Sequence, residues 1–364
     1  MIRKLVNRLA ERLIRRRGYS RYMATILWRD LCEDLLDHEG ATLRDKLWCY
    51  RRGFLSESIH RYGLDAANAH RYLPYFAYLK MHPLNGAYSH WIDDKLTLRH
   101  TFDAYARHLP GYHYHVRKGR ILRLRDCPHP NDAEATVDEV IGLLESRGRL
   151  AAKPVSGSGG KGFMKLEHRE GTFRILGAAR SRSEVSELIS GFDDYLVTDY
   201  VQAHHLIRRI YPETANLLRM VVINPDGHAP ALIASIMRFG LAASGAADSA
   251  GAGGIFCGVD LDTGRLFGPR RLVGRSVEPV GAHPDTAEPI EGFVLPHWAM
   301  IRHELFAIGR AFPQLAHMGY DIAITDDGFK IIEVNSLSDI RLGQAIAPLL
   351  EHEPAASFYR SRMH

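Results

Sequence analysis

The sequence predicts an α+β protein with a mostly helical N-terminal region followed by antiparallel sheets. Three observations carry this. Up to about residue 130, Leu, Trp and Phe recur at helical spacing, as in RDLCEDLLDHEGATLRDKLWCYRRGF and DDKLTLRHTFDAYARHL, and no apolar strand leads into a crossover helix. From residue 150 the pattern changes to short strand-like runs broken by turn residues. Two pairs of runs then flank hairpin signals: LLRMVVI and APALIASIMRF around NPDG, and YDIAIT and FKIIEVN around DDG. With 364 residues, 46% apolar and 24% charged, there is material for two or three layers or lobes.

The first element, residues 1–22, is a basic amphipathic helix. Ile2, Leu5, Val6, Leu9 and Leu13 share one face and arginines fill the other. Residues 1–21 hold eight Lys/Arg against the single acid Glu11, a local charge of +7, while the rest of the chain has 39 basic and 41 acidic residues. The net charge of +5 therefore describes this segment and not the body, so no nucleic-acid partner is expected. With no continuous apolar run, the segment reads neither as a signal peptide nor as a membrane span. It either lies on an anionic membrane surface or a partner, or packs on its own protein with a solvated basic face.

Residues 23–130 form the mostly helical region. NDAEATVDEVIGLLESRGR (131–149) is an amphipathic helix with Asn131 or Asp132 as cap and Gly148 near its end. It opens a small lobe, 131–205, with strands at 150–155, 162–167, 172–176 and 195–201 and a Ser-capped helix at 181–192. The C-terminal lobe, 206–364, holds the two hairpins and a helix at 297–312. Residues 242–254, AASGAADSAGAGG, form a connecting loop between them. Cys32, Cys49, Cys127 and Cys257 form no CxxC pair, which fits a reducing compartment without disulfides or a zinc centre. His113, His115, His204 and His205 lack a third ligand at metal-like spacing and read as surface or substrate-side residues.

The stretch KPVSGSGGKG (153–162) can be tested against several nucleotide-binding devices. A phosphate-binding GxxxxGK[ST] loop fails, because Gly162 follows Lys161 and Val155 stands at the first glycine. The GxGxxG spacing is present at Gly157, Gly159 and Gly162, but a strand pattern follows where a helix is needed. Kinase catalytic sequences are missing downstream. A lysine on the strand before a glycine turn that folds over phosphates remains, the alternative being a plain surface turn. In the last hairpin, a three-residue turn Asp326-Asp327-Gly328 places Asp321 opposite Glu333, with Asn335 on the same face. Two carboxylates and an amide oxygen on one face suit Mg²⁺, and acids inside apolar runs are costly without a cation.

In this order, KPVSGSGGKG, YLVTDYV, an arginine-bearing strand and D…ExN resemble the ATP-grasp superfamily, and most the sugar-transfer-associated ATP-grasp proteins. The likeness runs from about Lys95 to Gln344 and includes NLLRMVVINPDG, GGIFCGVDLDTGRL and MGYDIAIT. The resemblance implies two α+β lobes clamping ATP between antiparallel sheets. It implies that Lys153 contacts phosphate and that Gly157, Ser158, Gly159, Gly160, Lys161 and Gly162 form the flap over it. Asp199, Tyr200 and Val201 would be the adenine hinge, and Asp321, Glu333 and Asn335 the Mg²⁺ ligands. Arg219 or Arg238 would steady the phosphoryl group. The acid that usually grips the ribose after the hinge is not evident; Gln202, His204 and His205 stand there. The implied activity is an ATP- and Mg²⁺-dependent ligase joining a small-molecule carboxylate to an amine through an acyl phosphate. The flap and 242–254 would close the site. Rival readings are a phosphotransferase, a nucleotide-binding module without turnover, and a membrane-docking protein acting through residues 1–21. The expected location is the cytoplasm, with the inner face of the membrane as the place of any surface contact.

Overall fold

The structure, a computed structural model, describes residues 2–37, 40–128, 134–157, 159–244 and 253–363. Helices dominate up to residue 101: α1 (Ile2–Arg16), α2 (Arg21–Leu36), α3 (Leu43–Arg51), α4 (Glu57–Tyr62), α5 (Tyr75–Met81), α6 (His90–Asp93) and α7 (Lys95–Thr101). Local chemistry sets their starts. Ser20 caps α2, Thr42 and Asp45 form a capping box on α3, and Asp94 caps α7 through the Thr97 amide.

An eight-stranded antiparallel sheet follows. Its strands are β1 (Tyr112–Arg117), β2 (Arg120–Arg123), β3 (Glu134–Ala135), β4 (Arg149–Pro154), β5 (Met164–Arg169), β6 (Thr172–Ile175), β7 (Ala178–Arg180) and β8 (Tyr195–Asp199), in the order β3-β2-β1-β8-β4-β5-β6-β7. The sheet begins inside the stretch read as mostly helical. The reason is β1 itself, YHYHVR, whose two histidines disguise a buried strand. His113 and His115, expected at the surface or the substrate side, are buried and bonded to Asp199 (2.8 Å) and Asp194 (3.0 Å). Helices α8 (Val137–Arg147) and α9 (Arg182–Ser190) cover one face. Val140, Ile141 and Leu144 of α8 and Val185 and Ile189 of α9 pack there on Leu150, Ala152, Leu166 and Val197. Each such fully buried aliphatic side chain contributes about 1.5–3 kcal/mol. Thr136, in a capping box with Glu139, starts α8, and Gly148 ends it in the left-handed conformation. The expected caps Asn131 and Asp132 lie outside the described residues.

After α10 (His205–Ile210) comes a seven-stranded antiparallel sheet: β9 (Leu218–Ile223), β10 (Ala231–Phe239), β11 (Ile255–Val259), β12 (Leu266–Val273), β13 (Ser276–Pro279), β14 (His317–Thr325) and β15 (Gly328–Asn335), ordered β13-β12-β11-β10-β9-β14-β15. Both expected hairpins are present, and β11 to β13 add a meander. The two-residue period of β9 explains the layering. Leu218, Met220 and Val222 face α11 (Trp298–Ala311), while Val221 and Ile223 face the other way. There they meet Ile340, just before α12 (Arg341–Ile346), Leu349 and Leu350 in the turn that follows it, and α13 (Glu353–Arg360), together with Leu73 and Tyr78 from the helical region. That region is tied on by polar bonds as well. Tyr78 Oη donates to the Ser338 carbonyl (2.6 Å), and Arg275, in the β12–β13 turn, pairs with Asp34 and Asp37.

Candidate functional site

The face of the small sheet left bare by α8 and α9 looks across a cleft at the polar part of the large sheet. Alternation along β4 sends Leu150 and Ala152 to the helix side and Ala151 and Lys153 to the cleft. Lys153 is buried; its Nζ donates to the Ile332 carbonyl (3.2 Å) and sits 5.6 Å from the centre of the Tyr112 ring. Burial first, and then the nearby Lys95, pull its pKa down to about 8 against the opposing pull of Glu333. Lys95 is a residue that sequence reasoning used only to mark where the resemblance starts. It opens α7, its Nζ donates to the Gly157 carbonyl (3.2 Å), and it lies 3.7 Å from Glu333 Oε2. Its position at the end of a separate helix gave no motif to find it by.

On the opposite side, Asp321 pairs with Glu333 and Gly319 with Asn335, as the sequence suggested, but by a different route. The turn has two residues, Asp326-Asp327, closed by Thr325 and Gly328, so the ladder near it runs one position out of the expected register. A β-bulge at Ile332 restores it before the acids are reached. The bulged residue is the one whose carbonyl receives Lys153.

Arg219 on β9 grips Asp321 with two bonds of 2.7 Å and donates to Ser338 Oγ (2.9 Å); Arg238 on β10 adds a 3.0 Å bond to Asp321 Oδ1. Both arginines line the cleft. Burial opposes the charge on Asp321, but Arg219 and then Arg238 outweigh it and hold the carboxyl well below the usual range. Glu333 goes the other way: burial and then the Asp321 charge raise its pKa, with Lys95 as a partial offset. Asn335 does not reach the cleft wall; its Nδ2 donates to Glu333 Oε1 (3.2 Å). The donors are all oxygens, as a hard divalent cation requires, and a cation there would offset the cost of holding Glu333 ionised beside Asp321. Because Asp321 is committed to two guanidiniums, Glu333 is the carboxylate that would be left to lead a cation site.

Gly157, Gly159, Gly160 and Lys161 line the cleft. Gly162 does not; it is the pivot of the turn, with φ +76°, and a Cβ there would meet Tyr195 Oη at 2.7 Å and Pro154 Cγ at 2.9 Å. Ser158 lies outside the described residues, as does 245–252, most of the connecting loop. Asp199 accepts from the Gly111 amide (2.9 Å) and His113, so its side chain is spent on the scaffold. Tyr200 and Val201 line the cleft beside Phe163, Lys165, Leu217 and Glu213. Glu213, beyond α10, is an acid that the sequence reading missed; Gln202, His204 and His205 are not on this wall.

One further cluster unites His204, His205 and Asp326, with potential ligand atoms within 4.8 Å of one another. The sequence reading had no third ligand because Asp326 is remote along the chain. Asp326 Oδ1 already accepts from the His205 amide and Nδ1, both at 2.7 Å, and Arg208 stands 3.8 Å away, so the cluster secures the start of α10. Among the described residues, no helix is long and apolar enough to cross a membrane.

The model of the sugar-transfer associated ATP-grasp family matches residues 84–351. No curated protein sequence matches the chain. Similar solved structures include D-alanyl-alanine synthetase A of Vibrio cholerae, at 12% identity over 77% of this chain and 66% of that one, TM-score 0.43. D-alanine–D-alanine ligase of Bacillus anthracis is 15% identical over 75% of this chain and 64% of that one, TM-score 0.36. The L-amino acid ligase of Bacillus licheniformis is 11% identical over 72% of this chain and 42% of that one, TM-score 0.33. The chain thus spans less than two thirds of the length of each.

Proposed function

The chain belongs to the sugar-transfer associated ATP-grasp family, and from that premise we propose that it is an ATP-dependent ligase that joins a small-molecule carboxylate to an amine. One observation carries the reading. Lys95, Lys153 and the glycine loop on one side, and Arg219, Arg238, Asp321 and Glu333 on the other, line a single cleft between two sheets. With Lys161 and Lys165 the lining has six cationic side chains against the four carboxylates of Asp199, Glu213, Asp321 and Glu333, and this positive excess suits a polyanion.

In this reading Lys95 and Lys153 hold phosphate oxygens, and the amides of Gly157 to Gly162 close over them. The backbone of Tyr200 and Val201 meets the adenine edge, with Ala151, Leu217 and Ile332 as apolar walls. Glu213 takes the ribose hydroxyls. Glu333, with Asn335 and Asp321, would hold Mg²⁺, whose chemistry is to neutralise charge on the β- and γ-phosphates. Arg219 and Arg238 offset charge on the transferring group and keep Asp321 ionised.

The substrate carboxylate attacks the γ-phosphorus; a new P–O bond forms, the β,γ-bridging P–O bond breaks, and ADP leaves. An amine nitrogen then attacks the acyl carbon, the C–O bond to phosphate breaks, phosphate departs and the nitrogen loses a proton. The first step demands positioning and charge neutralisation more than covalent help, and removing one such element typically costs ~10²–10³ in rate. The amine step requires water to be kept out, which the flap over the cleft provides.

The test is to incubate the protein with Mg·ATP, a panel of amino acids and uronic acids, and hydroxylamine. The reading expects ADP, phosphate and a hydroxamate in equal amounts for the right acid. ADP with a stable phosphorylated product would replace the ligase with a phosphotransferase. No nucleotide turnover with any acid, together with no ATP binding, would remove the reading altogether.

A further inference from the structure

Helix α1 has a face that no other part of the chain covers among the described residues. Its stripe Asn7, Ala10, Glu11 and Ile14 is half-buried and lies toward α2. There Asn7 Oδ1 accepts from Trp28 Nε1 (3.1 Å), and Ile14 packs with Met23, Leu27 and Leu79. The side away from that stripe carries Leu5, Val6, Leu9 and Leu13, which are 69%, 49%, 59% and 53% exposed. At 3.6 residues per turn, Arg8, Arg12 and Arg16 run along the edge of this apolar stripe. Glu11, the only acid of residues 1–21, is on the stripe that faces α2. Leu35 and Leu36, exposed at the end of α2, belong to the same helical hairpin.

The helix therefore packs on its own protein through one stripe, one of the two expected alternatives, and leaves an apolar, arginine-edged stripe outside. A second copy of the chain is a poor occupant, because a two-fold pairing of α1 sets arginines against arginines. An anionic lipid surface offers phosphates to the arginines and acyl chains to the leucines at once. The 15 residues of α1 reach about 22 Å, short of the roughly 30 Å hydrocarbon core, so the helix lies flat and does not cross. It also falls outside the family match, which begins at residue 84.

We propose that α1 docks this protein on an anionic membrane surface, sinking Leu5, Val6, Leu9 and Leu13 to the acyl boundary while Arg8, Arg12 and Arg16 bind headgroup phosphates. The docked layer is connected to the cleft. Leu337 packs in the same cluster as Ile14, Met23 and Leu27, and its neighbour Ser338 holds Arg219.

The test is flotation of the full chain with vesicles of phosphatidylcholine alone or mixed with phosphatidylglycerol, at low and high salt. The expected result is binding to the anionic vesicles only, weakened by salt. Leu9→Glu/Leu13→Glu should abolish it. Arg8→Ala/Arg12→Ala should weaken it about 30-fold, from roughly 1 kcal/mol per basic residue. Both variants should keep the wild-type urea midpoint, since these side chains point to solvent. Failure to bind anionic vesicles would overturn the proposal. So would binding unaffected by the leucine substitutions, because charge alone would then account for it. A dimer that Leu9→Glu/Leu13→Glu dissolves, without vesicle binding, would assign the stripe to self-association instead.

Discussion

Replacing Lys153 by Met should make the nucleotide-free protein more stable and the nucleotide complex weaker. Methionine keeps the length and most of the volume of the side chain, so packing is little disturbed. Holding a proton at pH 7 on an amine whose pKa the cleft has pulled from 10.5 to about 8 costs about 3 kcal/mol, at roughly 1.4 kcal/mol per tenfold. Loss of the hydrogen bond to the Ile332 carbonyl takes back about 1 kcal/mol, which leaves a net gain of about 2 kcal/mol. A charge-assisted bond to phosphate contributes about 1.5–3 kcal/mol, so ATP affinity should fall about 10- to 150-fold. Urea denaturation of the free protein gives the first quantity and calorimetry with Mg·ATP the second. pH supplies an internal check. Between pH 8 and 10.5 the unfolded chain holds a proton at this position that the folded cleft does not, so the contribution of this group to stability rises across that window. Nucleotide affinity falls across it, because binding then requires proton uptake. Both slopes should vanish in the Met variant. A lower urea midpoint for the free variant, or an unchanged ATP affinity, would refute the reasoning.

Three other outcomes are expected. Glu333→Gln should not lower the urea midpoint, because burial and the Asp321 charge both work against the carboxylate it replaces, yet it should lower ADP formation by ~10²-fold or more; near-normal turnover would remove Glu333 from the proposed metal site. Gly162→Ala should weaken ATP binding more than Gly159→Ala, since a Cβ at Gly162 collides with Tyr195 and Pro154 whereas one at Gly159 meets nothing within 4 Å; the left-handed backbone alone costs about 1–2 kcal/mol, and equal effects in calorimetry would contradict the pivot assignment. Arg219→Met should destabilise the protein by about 3 kcal/mol in urea, because it strips the two-bond partner from a carboxylate that is only 2% exposed; a wild-type midpoint would mean that Arg238 suffices.

Most of the cleft was legible because its parts lie on local patterns. The lysine before the glycine loop, the hinge strand and the acidic hairpin each follow a two-residue alternation that places their side chains without knowledge of the rest. What was missed depends on contacts between distant segments. Lys95 and Glu213 reach the cleft only once α7 and the segment after α10 are folded onto the sheets. β1 was hidden because His113 and His115 replace the apolar residues expected of a buried strand, and the carboxylates that make this tolerable, Asp199 and Asp194, come from residues far along the chain. The pairing of Arg219 and Arg238 with Asp321 depends on the sheet order β10-β9-β14, which brings three separate strands side by side.

The extra residue at Ile332 separates two jobs within one ribbon. Near the tip the strands keep the register of the two-residue turn, and past Ile332 they keep the one that sets Asp321 opposite Glu333. Excising Ile332 would keep Ile331 opposite Ile322 and Glu333 opposite Asp321, and would remove the carbonyl that receives Lys153. The insertion therefore serves the lysine of the facing sheet and not the register of the carboxylates.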